Sequence, residues 1–271
     1  NFNYDNQKTF QLDGSVRWNH NDGDAYSKNS SQNFITQSGA YSNSVSHSYS
    51  RSNSWNAQMR LEWKPDTMTN IMFRPNFSYS TSDGRSGNQA ASYNDDPYLH
   101  TSDPLASEAI SQMAAQGLMV NSNRSNSLSY RNSKNMGGTL QLNRKLSSMG
   151  RNVTLRLQGN YSEGNSKSLS TNNVHLYQIK SLLTPEADST YQTNRYNVTP
   201  TKKWSYTAQM TYSEPLWKAT FLQMSYKFNY SYSKSERATY DFSNLGEGFF
   251  SDVANSYRNW DGYLSRLQRP Y

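Results

Sequence analysis

The chain has 271 residues, no cysteine, 34 % hydrophobic residues, only 17 % charged ones, and a formal charge of +7. No stretch approaches the ~20 apolar residues of a membrane-spanning helix, and the missing thiols exclude a disulfide scaffold and a thiolate metal site. Serine at about 16 % and asparagine at about 11 % make an unusual polar, uncharged bulk, yet 21 Tyr, 10 Phe and 6 Trp are too many for a typical disordered chain.

Strict alternation begins at Phe10, Leu12, Gly14, Val16 and Trp18, with Gln11, Asp13, Ser15 and Arg17 between them. That is the period of two of a strand with unlike faces. It recurs in six further segments. Trp55, Ala57, Met59, Leu61 and Trp63 form the second apolar row, and Ile71, Phe73, Pro75, Phe77 and Tyr79 the third. Met136, Gly138, Leu140 and Leu142 follow, then Val153, Leu155, Leu157, Gly159 and Tyr161. The last two rows are Trp204, Tyr206, Ala208, Met210, Tyr212 and Leu222, Met224, Tyr226, Phe228, Tyr230, Tyr232. None of these positions is charged, whereas the opposite rows hold Asp13, Arg17, Arg60, Glu62, Arg74, Arg156 and Lys227.

Alternation alone fits a soluble β-sandwich as well as a barrel, and the connections separate the two. Three links are short: Lys64 to Met68, Leu146 to Gly150, and Ser213 to Trp217. Between those hairpins lie long links, roughly residues 20–52, 81–133 and 163–202, with an unfinished one from about 233. Regular alternation of short and long links is the rhythm of outer-membrane barrels, whose short turns are periplasmic and whose long loops are external. Strands of about ten residues, rising ~3.3 Å each and tilted by ~40°, span about 25 Å, the height of their apolar band. Trp18, Trp63, Tyr79, Tyr161, Tyr212 and Tyr232 sit near strand ends, where an aromatic belt meets the headgroups. Pro75 lies within a row and predicts a bulge or a locally broken pair.

The long links are rich in Ser, Asn and Gly, the chemistry of surface loops. Residues 32–52 and 173–195 either extend strands beyond the bilayer or form extra hairpins. One helix is expected over Leu105 to Ala115, after the start signal Ser102-Asp103-Pro104 and before the stop at Gly117.

Trp63-Lys64-Pro65-Asp66-Thr67-Met68-Thr69-Asn70-Ile71, followed by Phe73-Arg74-Pro75-Asn76-Phe77-Ser78-Tyr79, resembles the barrel region of the Bacteroidetes outer-membrane β-barrel family allied to TonB-dependent receptors. Arg51 to Asn56 and the hairpin around Ser213 to Lys218 look like the same family. The resemblance implies a large barrel, of about 22 strands for plugged transporters, with an N-terminal plug and an energy-coupling segment. No plug, coupling box or closing strand stands in this sequence. Leu264 to Tyr271 does not alternate, the chain starts near a turn at Asp5 to Lys8, and seven strands is an odd number where bacterial single-chain barrels are even. The expectation is therefore a piece of a longer wall.

The fold class expected is all-β: part of an antiparallel transmembrane β-barrel, about seven strands, with long extracellular loops and one short loop helix. Arg17, Arg60, Glu62, Arg74, Arg156 and Lys227 are the lumen-facing candidates for contact with substrate or plug, because a charge facing lipid costs ~2–4 kcal/mol near the midplane. A hydrated wall with local ion pairs is the competing role for the same residues. His20, His47, His100 and His175 are scattered over predicted loops without metal-ligand spacing, and no hydrolase, phosphate-binding or dinucleotide motif is present, so neither enzyme activity nor a cofactor is expected. Asn19 to Asp24 and Asn94 to Asp96 are oxygen-rich but lack the spaced calcium-loop pattern and are read as solvated turns.

The function expected is uptake of a nutrient by an outer-membrane receptor, with a passive porin, a surface adhesin or a soluble glycan-binding sandwich as alternatives. The partners implied are outer-membrane lipid and lipopolysaccharide, the plug and TonB complex of the resembled family, and a surface lipoprotein. Nucleic acid is not among them, since no basic run exceeds Lys202-Lys203.

Overall fold

The computed structural model describes residues 1–36, 38–182, 187–217 and 220–241. Its strands are β1 (Phe2–Asp5), β2 (Phe10–Gln32), β3 (Tyr41–Trp63), β4 (Thr69–Tyr93), β5 (Met119–Lys145), β6 (Asn152–Lys180), β7 (Asp188–Trp217), β8 (Thr220–Ser235) and β9 (Ala238–Asp241), with one helix, α1 (Ser107–Ala115). They form one antiparallel sheet in sequence order from β1 to β8, while β9 pairs with β7. Thr201↔Ser235 and Val198↔Ala238 lie on one register, so β9 is β8 resumed after a gap. The gap falls opposite Pro200, which has no N–H to give the neighbouring strand. The sheet is thus an eight-stranded meander, open at β1 and at β8 among the described residues.

The seven alternating segments all lie within strands, β2 to β8, and the added strand is the short β1. Pro75 breaks a pair without bulging. The β3–β4 ladder lapses at Met59-Arg60 against Arg74-Pro75 and resumes at Leu61↔Phe73 on the same register. The segment Leu264 to Tyr271 lies outside the described residues.

Asn6 closes the first turn by accepting from the backbone N–H groups of Lys8, Thr9 and Phe10 at 2.9–3.0 Å. Asp66 does the same work in the turn between β3 and β4, accepting from Met68 N–H at 2.7 Å and Thr69 Oγ1 at 3.0 Å. These are side-chain-to-backbone turns that need no long loop. The third expected turn is displaced, because Ser213 to Trp217 still belongs to β7.

The long links are the main correction. Residues 20–32, 41–52, 81–93, 119–133, 163–180 and 188–202 are strand, so β2 to β7 run for 23 to 30 residues. Apart from isolated apolar residues such as Leu128, Leu169 and Tyr196, both faces of these extensions are mostly polar, which weakens the hydrophobic contrast that marks a strand in sequence. Backbone pairing is indifferent to that contrast, and each extension between β3 and β6 is bonded to a neighbour on either side. His20, His47 and His175 accordingly stand on strands, as does Asn19 to Asp24. Asn94 to Asp96 is irregular backbone, where Asp96 accepts from Tyr98 N–H at 3.0 Å to open a 3₁₀ turn over Pro97–Leu99.

The helix starts at Ser107, two residues later than expected, and stops at Gly117. Gly117 adopts φ +74°, and the pair of bonds Gly117 N–H to Ala114 O and Leu118 N–H to Met113 O closes the helix end. Ala109 and Met113 of α1 pack with Leu105, Ala91, Tyr93 and Met119 in the molecule's main buried cluster. Tyr93 donates its hydroxyl to Pro104 O at 2.7 Å. The segment between β4 and β5 is thereby clasped onto the sheet at the end remote from the short turns.

Candidate functional site

Register assigns every alternating row to a face without any choice of frame. Phe10↔Trp63, Trp63↔Ile71, Ile71↔Leu142, Leu142↔Leu155, Leu155↔Met210 and Met210↔Tyr226 place seven apolar residues in one rank. Leu12, Leu61, Phe73, Leu140, Leu157, Ala208 and Phe228 form the next rank, and the remaining rows follow likewise. All seven apolar rows share one face. Among the described residues no second layer covers it: Val16 is 63 % exposed, Met136 57 % and Tyr226 71 %.

Charge frames this apolar field at both ends. On that face the nearest charges flanking the rows are Lys8 on the turn side and Asp22, Arg51, Asp83, Lys134, Glu163, Lys202 and Lys234 beyond the other rim. Arg144, Arg151 and Glu214 complete the turn-side rim, where Arg151 grips Glu214 with two bonds at 2.5 and 2.7 Å. Lys202 lies 3.6 Å from Glu163 and Lys234 2.7 Å from Glu236. The charge-free window is centred on residue 15 in β2, 157 in β6 and 208 in β7. Relative to the ranks, it lies three residues nearer the short turns in β6 and β7 than in β2.

The opposite face carries all six candidate residues. Asp13, Arg60 and Arg74 share one rank with Thr139, Gln158, Thr207 and Asn229. Glu62, Arg156 and Lys227 share the adjoining rank, with Gln209 directly between Arg156 and Lys227. Arg17 stands apart, opposite Asn56 and two ranks farther from the turns than Asp13.

Arg60 and Glu62 are brought together and the others are not. Glu62 is almost fully buried and accepts from Arg60 Nη2 at 2.7 Å, Lys64 Nζ at 2.9 Å and Asn70 Nδ2 at 3.1 Å. A carboxylate held by three donors is a structural post, and Arg60 and Glu62 form a local ion pair within it. Asp13 is likewise engaged, by Asn3. Arg17, Arg74, Arg156 and Lys227 have no carboxylate partner among the described residues. The polar face therefore presents unneutralised positive charge spread over β2, β4, β6 and β8.

Lys64, Asn70 and the engaged state of Asp13 escaped the sequence reading. Lys64 was assigned to a turn, and only its parity with Glu62 signalled that its ammonium returns to the same face. No group of three or more metal-ligating side chains occurs among the described residues. No family model matches the chain, and no curated protein matches it.

Proposed function

We propose that the sheet is a section of the wall of an outer-membrane β-barrel, and that the whole protein is a receptor that takes up a nutrient, in the manner of the TonB-dependent receptors that Trp63 to Tyr79 resembles. The observation that carries the reading is the in-register apolar field. Seven strands at ~4.8 Å spacing and rows of eight residue steps at ~3.4 Å give about 29 Å by about 27 Å, close to 800 Å². The largest apolar patch on a typical soluble monomer is about 300–600 Å². Tilted by ~40°, the rows reach about 21 Å along a membrane normal, near the ~25 Å apolar band of barrels. The sliding of the charge-free window is in one direction, as strand tilt demands.

The polar face would then line the lumen, with Arg17, Arg74, Arg156 and Lys227 solvated there, while Glu62 ties β3 to the adjacent turn. The open edges belong to the same reading. Among the described residues, β8 pairs with β7 alone along its sixteen residues, and hydrocarbon does not tolerate unpaired backbone donors, so in this reading another strand pairs with its outer edge. Lipid and lipopolysaccharide would contact the apolar field and its rims. A plug and the TonB complex would supply gating and energy, and a surface lipoprotein would engage the far end.

The test is fractionation of the full-length protein, followed by electrophoresis with and without boiling and by uptake assays. Recovery in the outer-membrane fraction, a heat-dependent mobility shift and uptake that stops when the proton-motive force is dissipated are expected. A detergent-independent soluble protein with no shift would sink the reading, and uptake indifferent to the proton-motive force would convert the receptor into a passive porin.

A further inference from the structure

A second site lies on the apolar field's face of the sheet but far beyond its rim. Gln89, Arg124, Asn173 and Gln192 face one another in a single rank across β4, β5, β6 and β7. Ser122, His175 and Thr190 occupy the next rank, so the two ranks form one patch on one face. Ile110 of α1 borders this patch, and the open hollow between them measures about 460 Å³. That volume lies within the range of small-ligand pockets, roughly 300–1,000 Å³.

The lining is mostly polar, with an aromatic ring among it. His175 lines the hollow and is backed by Tyr177, with ring centroids 3.9 Å apart and planes inclined by 14°, which holds the imidazole as a flat wall. Tyr177 is braced in turn by Ser122, hydroxyl to hydroxyl at 3.2 Å. Gln89, which lines the hollow, is fixed by donating to Leu105 O at 2.8 Å. Asn173, Gln192 and Thr190 add amide and hydroxyl groups that both donate and accept. Asp188, the neighbour of His175, is held by Lys180 at 2.9 Å and His175 at 3.3 Å. Arg124 has no ion-pair partner among the described residues. An aromatic wall, several amide and hydroxyl groups and one uncompensated guanidinium call for a ligand with hydroxyls, a flat apolar side and one anionic group.

We propose that this hollow binds a saccharide carrying a carboxylate, with Arg124 pairing the carboxylate, Asn173 and Gln192 bonding ring hydroxyls, and the His175 imidazole, backed by Tyr177, stacking under the ring. Twelve residues along β5 separate Arg124 from Met136, about 40 Å at the rise of a strand. The site therefore stands clear of the apolar field and does not depend on whether that field is embedded in lipid. It also lies on the face opposite Arg74 and Arg156, so it is a capture site on the flank and not a station on the polar face. The acidic sugar can be a free oligosaccharide or the acidic core of a lipopolysaccharide.

The test uses the full-length protein, immobilised in detergent and exposed in separate arms to a galacturonate trisaccharide, its neutral galactose counterpart, lipopolysaccharide, and phosphatidylglycerol as an anionic lipid without sugar. Binding of the galacturonate at least tenfold tighter than the neutral sugar is expected when the source is soluble, and binding of lipopolysaccharide over phosphatidylglycerol when it is lipid-linked. Arg124→Gln should lower the affinity for the acidic ligand at least tenfold and leave the heat-dependent mobility unchanged. Ile110→Trp, which narrows the hollow from the helix side, should weaken binding without touching a polar group. Binding of none of the four, no discrimination in either the sugar pair or the lipid pair, or indifference of the preferred ligand to Arg124→Gln would each overturn the proposal. The gel shift and fractionation report on the membrane reading separately, so either can fail alone.

Discussion

Leu157 and Gln158 are adjacent on β6 and face opposite ways, which makes them a stringent pair for placing an arginine. Leu157 sits between Leu140 and Ala208 at the centre of the charge-free window of its strand, and Gln158 sits between Thr139 and Thr207 on the other face. If the apolar field meets lipid, Leu157→Arg should cost ~2–4 kcal/mol near the midplane, which is roughly a 30- to 800-fold change in the folding equilibrium. Gln158→Arg should stay within about 0.5 kcal/mol, like other substitutions at hydrated positions. The assay is urea unfolding of the full-length protein in lipid vesicles, read by tryptophan fluorescence. Depth adds a second axis, because Tyr161→Arg, one turn of the alternation from the rim charge Glu163, should cost only about 0–1 kcal/mol. A sheet whose apolar face met water would show about equal, small effects for Leu157→Arg and Gln158→Arg. A sandwich core would penalise Tyr161→Arg as heavily as Leu157→Arg. Either pattern would refute the reasoning.

Other expectations follow from single contacts. Glu62→Gln should destabilise the protein by about 1–3 kcal/mol, since Arg60 and Lys64 would lose their shared carboxylate. Arg60→Gln should cost less, because Lys64 and Asn70 still hold Glu62, and the same unfolding assay ranks the two. Pro75→Ala should restore a donor where the β3–β4 ladder lapses and slow amide exchange at Met59 and Arg60. Unchanged exchange would mean that the gap has another cause. In the turn, bonding from Met68 N–H and then from Thr69, against a burial contribution of opposite sign, holds the Asp66 carboxyl below its ordinary value of 3.8. A depressed carboxyl contributes stability above its unfolded pKa and loses it as pH falls through the folded one. Met68 amide protection should therefore persist at neutral pH and fade below about pH 4, and Asp66→Asn should abolish that dependence.

Much of this fold is legible in the sequence where its two faces differ in polarity. Leu12 to Trp18 and Leu155 to Tyr161 announce their strands because every second residue is apolar, and Lys64 to Met68 announces its turn by Pro65 and Asp66. Legibility fails where both faces are alike. Ser42 to Ser52 pairs along its whole length with β2 and β4, the strand extension that the sequence left open against an extra hairpin, because its serines and asparagines carry little strand propensity. The helix was visible through its stop at Gly117, but its start shifted because Pro104 is taken up by the bond from Tyr93. Of the candidate site, parity alone placed Arg17, Arg60, Glu62, Arg74, Arg156 and Lys227 on one face. What it could not supply was partnership, since Lys64 and Asn70 reach Glu62 across a turn and a neighbouring strand. The hollow beneath Ile110 was invisible for the same reason: its rank draws one residue from each of four strands.

The central claim, that one face of this sheet meets lipid and the other meets water, is tested most directly by scanning β7 with single cysteines. The chain has no native cysteine, so each of residues 205–211 can carry a spin label in the full-length protein reconstituted in bilayers. The account predicts a period of two. Labels at Tyr206, Ala208 and Met210 should be relaxed mainly by lipid-soluble oxygen, and labels at Ser205, Thr207, Gln209 and Thr211 mainly by a water-soluble nickel chelate. Uniform access to the nickel reagent along the whole segment, or oxygen access without alternation, would contradict it.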